Sequence, residues 1–462
     1  MTASQLLPPQ NIRRQLEQSP AGNSESAVQV VNERLRVGHI AALWPLTSEN
    51  EPRLINDQFV HFLASAYLAM EHFNARSTGA AAPELNSLLP YNCDFQLSMD
   101  IRDSRFNPFK AVSELVDSYS GKEAEQHVTP FAVLGPALSG ETLATSTLSS
   151  ALNMPQITGT ATSTALDNVP LFARTIPTNQ GDARAMMMYL QSIQVDKIGI
   201  LYIRDPWGLS YFNALHDAAL QHNIEIVVAE SYNGNAGSLE SSMRSLADSR
   251  LQYFAAIVNQ DTWKPVYKMA YKYGVMGRKD RTWFLAEAHY LIDDNFSLDR
   301  ETEYDLAQAI HGSGMLSLSI TNEDRAFEQA MDTFMLANDF PNPFTNLTMR
   351  DRLVSDLAEP ELFDQVAFKA LNGNAYNRFM YDSVMALGMA ACRTTPRNFT
   401  GTEFFEELIQ TEFPGRCILI LCRWICPASV GLGDEWNVVY WSTLLTLFSI
   451  FCTCRRVWMG GI

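Results

Sequence analysis

The sequence predicts an α/β protein of two lobes, each a doubly wound and mostly parallel sheet. Three observations carry that reading. From residue 37 onward short apolar runs alternate with amphipathic helical segments, the pattern of βαβ units with right-handed crossovers. Between Phe131 and Pro177 two such runs, Phe131–Leu134 and one ending near Ile157, each lead into a loop of glycine and small hydroxyl residues. A second alternating series begins after Pro177.

The elements follow in order. Residues 1–35, rich in Gln, Ser, Asn and Pro, contain no apolar run long enough for a signal-peptide core and read as a disordered lead-in. Val37–Leu43 is a compact strand that stops at Trp44-Pro45. Phe59, Phe62, Leu63, Ala66, Leu68, Met70 and Phe73 recur at helical spacing, so residues 59–74 form a helix with a face to bury. A strand at Phe95–Ile101 and a helix from Pro108 to Tyr119 follow. Phe131–Leu134 is a strand broken by Gly135-Pro136, a helix starts near Glu141, and Ile157 leads into the loop Thr158–Ser163. In the second series, helices at 181–193, 211–222, 239–247 and 265–273 alternate with strands at 198–203, 224–228, 253–258 and 282–286, and Asp205-Pro206-Trp207-Gly208 reads as a turn. His311–Ile320 then looks like a crossover strand, with helices at 322–335, 377–391 and 403–412 beyond it. The organisation is lobe 1 over 36–175, lobe 2 over 176–308, a return to lobe 1 over 309–413, and a Cys-rich apolar tail over 414–462.

The two hydroxyl-rich loops fall at the carboxyl edge of a parallel sheet, where open α/β folds hold ligands with backbone N–H groups and short hydroxyls. Catalytic and cofactor motifs are missing: the chain has no GxSxG, HExxH, GK[ST] P-loop or GxGxxG, and Glu287 has no second carboxylate at a defined spacing. The expectation is a binding cleft, not an enzyme, with no cofactor. A net charge of −17 argues against nucleic acid as a partner. Of seven cysteines, Cys93 and Cys392 stand alone and the rest crowd the last 46 residues; with no CxxC and no histidine beyond His311, no metal site is expected.

Taken together, strand 37–43, the helix carrying AMEHFNAR, the Asp103-Ser104 pair, VLGPALSG, MPQITGTATSTALDN and ARTIPTNQGDARAM resemble the receptor ligand-binding region of the type I periplasmic-binding-protein fold. The likeness, over roughly residues 36–413, is to the extracellular Venus-flytrap domains of class C G-protein-coupled receptors of the metabotropic glutamate and GABA-B kind; receptor guanylyl cyclases carry a similar domain. The resemblance implies a small amino-acid-like or carboxylate ligand between the lobes, signalling by lobe closure, homo- or heterodimers through lobe 1, and a downstream transmembrane module with the binding lobes outside the cell. Two alternatives stand beside it, a solute-binding protein of a transport system and a receptor-like scaffold that no longer binds ligand.

The resemblance also assigns roles by position. Ser139 and Thr162 match the hydroxyls that hold the ligand's carboxylate, with the backbone of Gly140 and Thr160 nearby. Ser139 can instead cap the following helix, and Thr162 can stabilise its own loop. Asn179 stands where amino-acid receptors place an aspartate, Trp207 where they place an aromatic wall, and Glu287 where they place an acidic partner for an ammonium group. Trp207 can equally be core and Glu287 a solvated residue. Trp44 sits where the family often puts a ligand-touching aromatic, or packs under the helix that starts at Phe59. Tyr376, with Arg378 two residues on, occupies the place of the glutamate receptors' lysine, which does not support glutamate specificity.

Two departures are expected to matter. The family's disulfide would need a cysteine at 103–105, which leaves Cys93 without an evident partner. After FFEELIQTEFPG the chain reads RCILILCRWICPASVGLGDEW in place of the family's closing hairpin, as an altered reading frame or an unspliced intron would produce, and lobe 2 is then expected to lack its closing strands. Val438–Cys454 is an uncharged apolar run followed by Arg455-Arg456, a candidate membrane span at the low edge of the required length or a buried segment.

Overall fold

A computed structural model describes residues 36–47, 57–79, 81–121, 128–258, 262–278, 280–286, 313–319, 322–336, 375–394, 399–411, 419–425 and 438–439. The lead-in, Glu287 and all but the first two residues of the 438–454 run lie outside the described residues.

The first lobe is built on a parallel sheet in the order β2-β1-β3-β4-β5. Its strands are β1 (Arg36–Trp44), β2 (Phe95–Asp103), β3 (Ala132–Leu134), β4 (Gln156–Thr158) and β5 (Phe172–Arg174). Helix α1 (Asp57–Ala75) follows β1, α2 (Pro108–Ser120) follows β2, and α3 (Ser139–Ala151) follows β3. Parallel sheets need cover on both faces, and β1 shows how the alternation supplies it. Ile40, Ala42 and Trp44 face a core shared with α1 and with α9 (Ala375–Arg393), while Ala41 and Leu43 face a smaller core with Leu115 of α2. The seven apolar residues expected to be buried on α1 are all buried. Asn107 caps α2 by accepting from the backbone N–H groups of Phe109 and Lys110, and Pro108 occupies the first helical position, where its missing N–H costs nothing.

Helix α9 returns to lobe 1 from the far end of the chain. His72 Nδ1 lies 2.9 Å from the Tyr381 hydroxyl, and Arg378 pairs with Glu84 at 2.7 Å and Asp382 at 3.2 Å. Its last turn brings Cys392 to Cys93, and the two form a disulfide with Cα atoms 5.5 Å apart. This corrects the expectation that Cys93 has no partner. The bond joins residues 299 apart in sequence, a proximity created only when α9 docks on α1.

The second sheet runs β12-β11-β10-β9-β8-β6-β7. β6 (Lys197–Ile203), β7 (Glu225–Tyr232), β8 (Tyr253–Ile257), β9 (Thr282–Leu285) and β10 (Gly314–Ser319) pair parallel with one another. They alternate with α4 (Asn179–Ser192), α5 (Pro206–Gln221), α6 (Ala236–Asp248) and α7 (Trp263–Lys272), and α8 (Asn322–Leu336) and α10 (Gly401–Ile409) complete the helices described. The expected crossover strand is thus β10, a member of this sheet. The closing strands expected to be missing are present: β11 (Leu419–Ile425) pairs antiparallel with β10, and β12 (Val438–Val439) with β11. The divergent segment supplies seven residues of strand because β-branched, aliphatic and aromatic residues suit a ladder whatever the motif.

A second correction concerns Asp205-Pro206-Trp207-Gly208. It is the start of α5, not a turn: Asp205 accepts from the Gly208 N–H at 2.7 Å and Pro206 is the first helical residue. A Cβ at Gly208 would meet the Ile203 carbonyl oxygen at 2.0 Å, so the helix can leave β6 this tightly only with glycine there. Among the described residues no helix is long and apolar enough to cross a membrane.

Candidate ligand-binding site

β3 and β4 are neighbours in register, Val133 opposite Gln156 and Leu134 opposite Ile157, so the loops that follow them leave the sheet side by side. Hydrogen bonds stitch the two together. The Gly135 N–H donates to the Ile157 carbonyl (2.8 Å), the Thr158 hydroxyl to the Pro136 carbonyl (3.2 Å) and the Thr160 hydroxyl to the Ala137 carbonyl (2.9 Å). Underneath, the Gln156 amide donates to the Gly135 carbonyl (2.7 Å) and to Thr145 Oγ1 (2.9 Å).

Buried Arg174 at the end of β5 braces the second loop. Its Nη1 donates to the carbonyls of Ala161 (3.2 Å) and Ser163 (3.0 Å), and its Nη2 pairs with Asp167. Burial pushes the Arg174 guanidinium down and the Asp167 carboxyl up from their ordinary values, each opposed by the other's charge. At Gly159 the loop runs against α9 so closely that a Cβ would lie 2.6 Å from the Phe379 carbonyl carbon.

On this scaffold the structure brings Ser139, Gly140, Thr160 and Thr162 to one edge. Ser139 is buried in the first turn of α3 but is not its cap, a position held by Leu138; its Oγ accepts from the Ser163 N–H at 3.3 Å. Gly140 faces lobe 2, and a Cβ there would sit 3.7 Å from the Pro206 ring. The Thr160 N–H is directed back to Thr158 Oγ1 at 3.3 Å. Thr162 is buried, and its carbonyl accepts from the Asn179 N–H at 3.1 Å.

Other assigned positions behave differently. Asn179 is 0% exposed, with its amide engaged by Ser210. Trp44 is also 0% exposed, its ring 6.3 Å from Phe62 of α1 and its Nε1 without a hydrogen-bond partner, so it packs under α1. Trp207 is half-buried against both cores of lobe 2, edge-to-face with Tyr211 at 5.9 Å. Tyr376 is buried 6.1 Å from the Phe62 ring.

Sequence reasoning missed three residues that join the lobes here. The Ser163 hydroxyl donates to the Pro206 carbonyl at 3.2 Å, and the N–H and hydroxyl of Thr164 both lie 2.9 Å from Ser210 Oγ. Ser163 ends the hydroxyl cluster and Thr164 directly follows it, but nothing local marks Ser210. Glu141 was passed over as well. It is buried beside Ser104 and Asp103, and burial pushes its carboxyl up to about 7, with the Asp103 charge adding to the rise and the Ser104 hydroxyl and the N–H groups of Leu138 and Asn107 opposing it.

Both loops, and every strand except β1, β11 and β12, fall within a family-model match, to the receptor family ligand binding region, over residues 68–417. The chain belongs to this family. The receptor ligand-binding region therefore accounts for the two sheets of parallel strands, consistent with the two-lobed type I periplasmic-binding-like fold. A search of curated proteins found no match.

Proposed function

We propose that this receptor ligand-binding region is an extracellular sensor that holds a small carboxylate-bearing, amino-acid-like molecule between its lobes and signals by closing on it, without chemistry on the ligand. The observation that carries the reading is the stitched pair of loops bearing Ser139 and Thr162, with the first turn of α5 from the other lobe against them. Short hydroxyls and oriented amides at the carboxyl edge suit a carboxylate, which accepts strong hydrogen bonds from them. A ligand touching both lobes favours the closed state by its differential affinity for that state. With Asn179 neutral and already engaged, the usual ammonium partner at this position is missing, which favours ligands read chiefly through the carboxylate.

The Cys93–Cys392 disulfide supports an oxidising compartment, in keeping with lobes displayed outside the cell above a membrane module. Phe109 and Val116, two turns apart on α2, are 84% and 45% exposed and support pairing of two copies through lobe 1.

The test is a thermal-shift screen of the full chain against amino acids, GABA-like amines and small carboxylates. A ligand of the folded form adds RT ln(1 + [L]/Kd), about 2.7 kcal/mol at a hundred times Kd. The expected result is a saturable shift that Ser139→Ala and Thr162→Ala each abolish. A shift that survives both substitutions places the ligand elsewhere.

A further inference from the structure

We infer that Ser210 is a positioning residue that latches the two lobes together and sets the balance between open and closed forms. The inference rests on the proposed closure of the cleft. Ser210 is buried on α5, in the second lobe. Its Oγ lies 2.9 Å from both the Thr164 N–H nitrogen and Thr164 Oγ1, 3.2 Å from Asn179 Nδ2 and 3.4 Å from Asn179 Oδ1. A hydroxyl has one proton and two lone pairs. Here it accepts from the Thr164 N–H and the Asn179 amide and has Thr164 Oγ1 and Asn179 Oδ1 as acceptors for its proton, so its capacity is used in full.

The three residues come from different parts of the chain. Thr164 starts the short 3₁₀ turn that continues the Thr158–Ser163 loop of lobe 1. Asn179 is the first residue of α4, just after the chain leaves β5 for the second lobe. The Asn179 N–H also binds the Thr162 carbonyl, and the Ser163 N–H binds Ser139 Oγ. Ser210 is therefore linked to Thr162 through Asn179 and to Ser139 through Thr164 and Ser163, and it reaches both from the opposite lobe.

Alanine at 210 would leave the Thr164 N–H and the Asn179 amide short of a partner while the lobes are together. When the lobes part, water can satisfy both groups. Loss of the hydroxyl therefore disfavours the closed form more than the open one, and an orphaned buried donor is enough to move that ratio about tenfold. Ser210→Thr keeps the hydroxyl and should keep the latch.

Hydrogen exchange read by mass spectrometry on the ligand-free full chain tests this directly, with small-angle scattering for overall dimensions. In Ser210→Ala the Thr164 amide should exchange about tenfold faster and the particle should expand, with β1 and β6 as protected as before, and Ser210→Thr should restore both readings. Unchanged exchange at Thr164 overturns the proposal, and so does a rise spread evenly over both sheets, which would mark a merely structural role. If Ser210→Ala does not fold, Thr164→Val removes only one partner; faster exchange over the first turns of α5 is then expected, and unchanged exchange there overturns the latch. None of these readings needs a ligand, so a failed ligand screen and a failed latch are separate results.

Discussion

The two rims of the cleft are built on different principles. On the lobe 1 rim two loops share hydrogen bonds with each other, with Gln156 below and with the buried Arg174 behind, so the rim has a brace within its own lobe. The lobe 2 rim is the first turn of α5, aimed by its Asp205 cap and touching lobe 1 through the Pro206 carbonyl and the Ser210 hydroxyl. On the proposed function, the first rim is preorganised to read a ligand and the second completes the site when the lobes close. Preorganisation lowers the ordering cost of binding, and the proposed closure is an equilibrium that a ligand's differential affinity for the two forms can shift.

The largest expected effect breaks the reading rim. Arg174→Ala leaves Asp167 without its cation and two loop carbonyls without their donor, and loss of one member of a buried pair costs about 3–5 kcal/mol. Urea unfolding should show that loss, and exchange should rise over residues 156–176 while β6 and β8 stay protected. Equal loss of protection in both sheets would mean that the rims are not independent.

A middle-sized effect comes from Glu141, whose helix carries Ser139. Its carboxyl is held near pKa 7 in the fold against 4.5 when unfolded, so between those values the folded chain binds the extra proton and stability falls as pH rises from about 4.5 to 7. Below that window the penalty is absent; above it the penalty is complete. Glu141→Gln should remove it, raising stability at pH 8 by about 1–3 kcal/mol and leaving pH 4 nearly unchanged. Denaturation at the two pH values decides, and an equal gain at both would exclude ionisation as the cause. The other charges on the surrounding elements are already engaged: Asp103 accepts from Leu46, Thr47 and Arg105, and Arg102 pairs with Asp100 and Glu114.

The smallest effect on stability is expected from Phe109→Asp, within about 0.5 kcal/mol, because the ring is exposed. Its effect on assembly should be large. Sedimentation velocity should show the wild-type chain as a dimer and the variant as a monomer, with exchange at both rims unaltered; a variant that remains dimeric moves the interface off α2.

Much of this architecture was legible because its causes are local. The apolar residues of α1 recur every three or four positions, and all those expected inside are buried. Gly135-Pro136 and the Thr158–Ser163 cluster marked the ends of β3 and β4 and so located the reading rim. The Asp205-Pro206 pair was also legible, as an N-cap followed by proline at the first helical position, and was misread because Pro-Trp-Gly also suits a turn. β11 was missed for the opposite reason: attention to a lost motif hid a run of residues that simply makes good strand.

By itself, the sequence determined the alternation of strand and helix, the two-lobed plan and the edge at which hydroxyls gather, since periodicity and small-residue loops act within a few residues of where they occur. Tertiary structure alone decided the pairings across distance: Cys93 with Cys392, Arg174 with the loop carbonyls it braces, and Ser210 with Thr164 and Asn179. A serine in a helix carries no mark of the oxygen or nitrogen it will meet. Only the packing of one lobe against the other turns that ordinary hydroxyl into a contact between them.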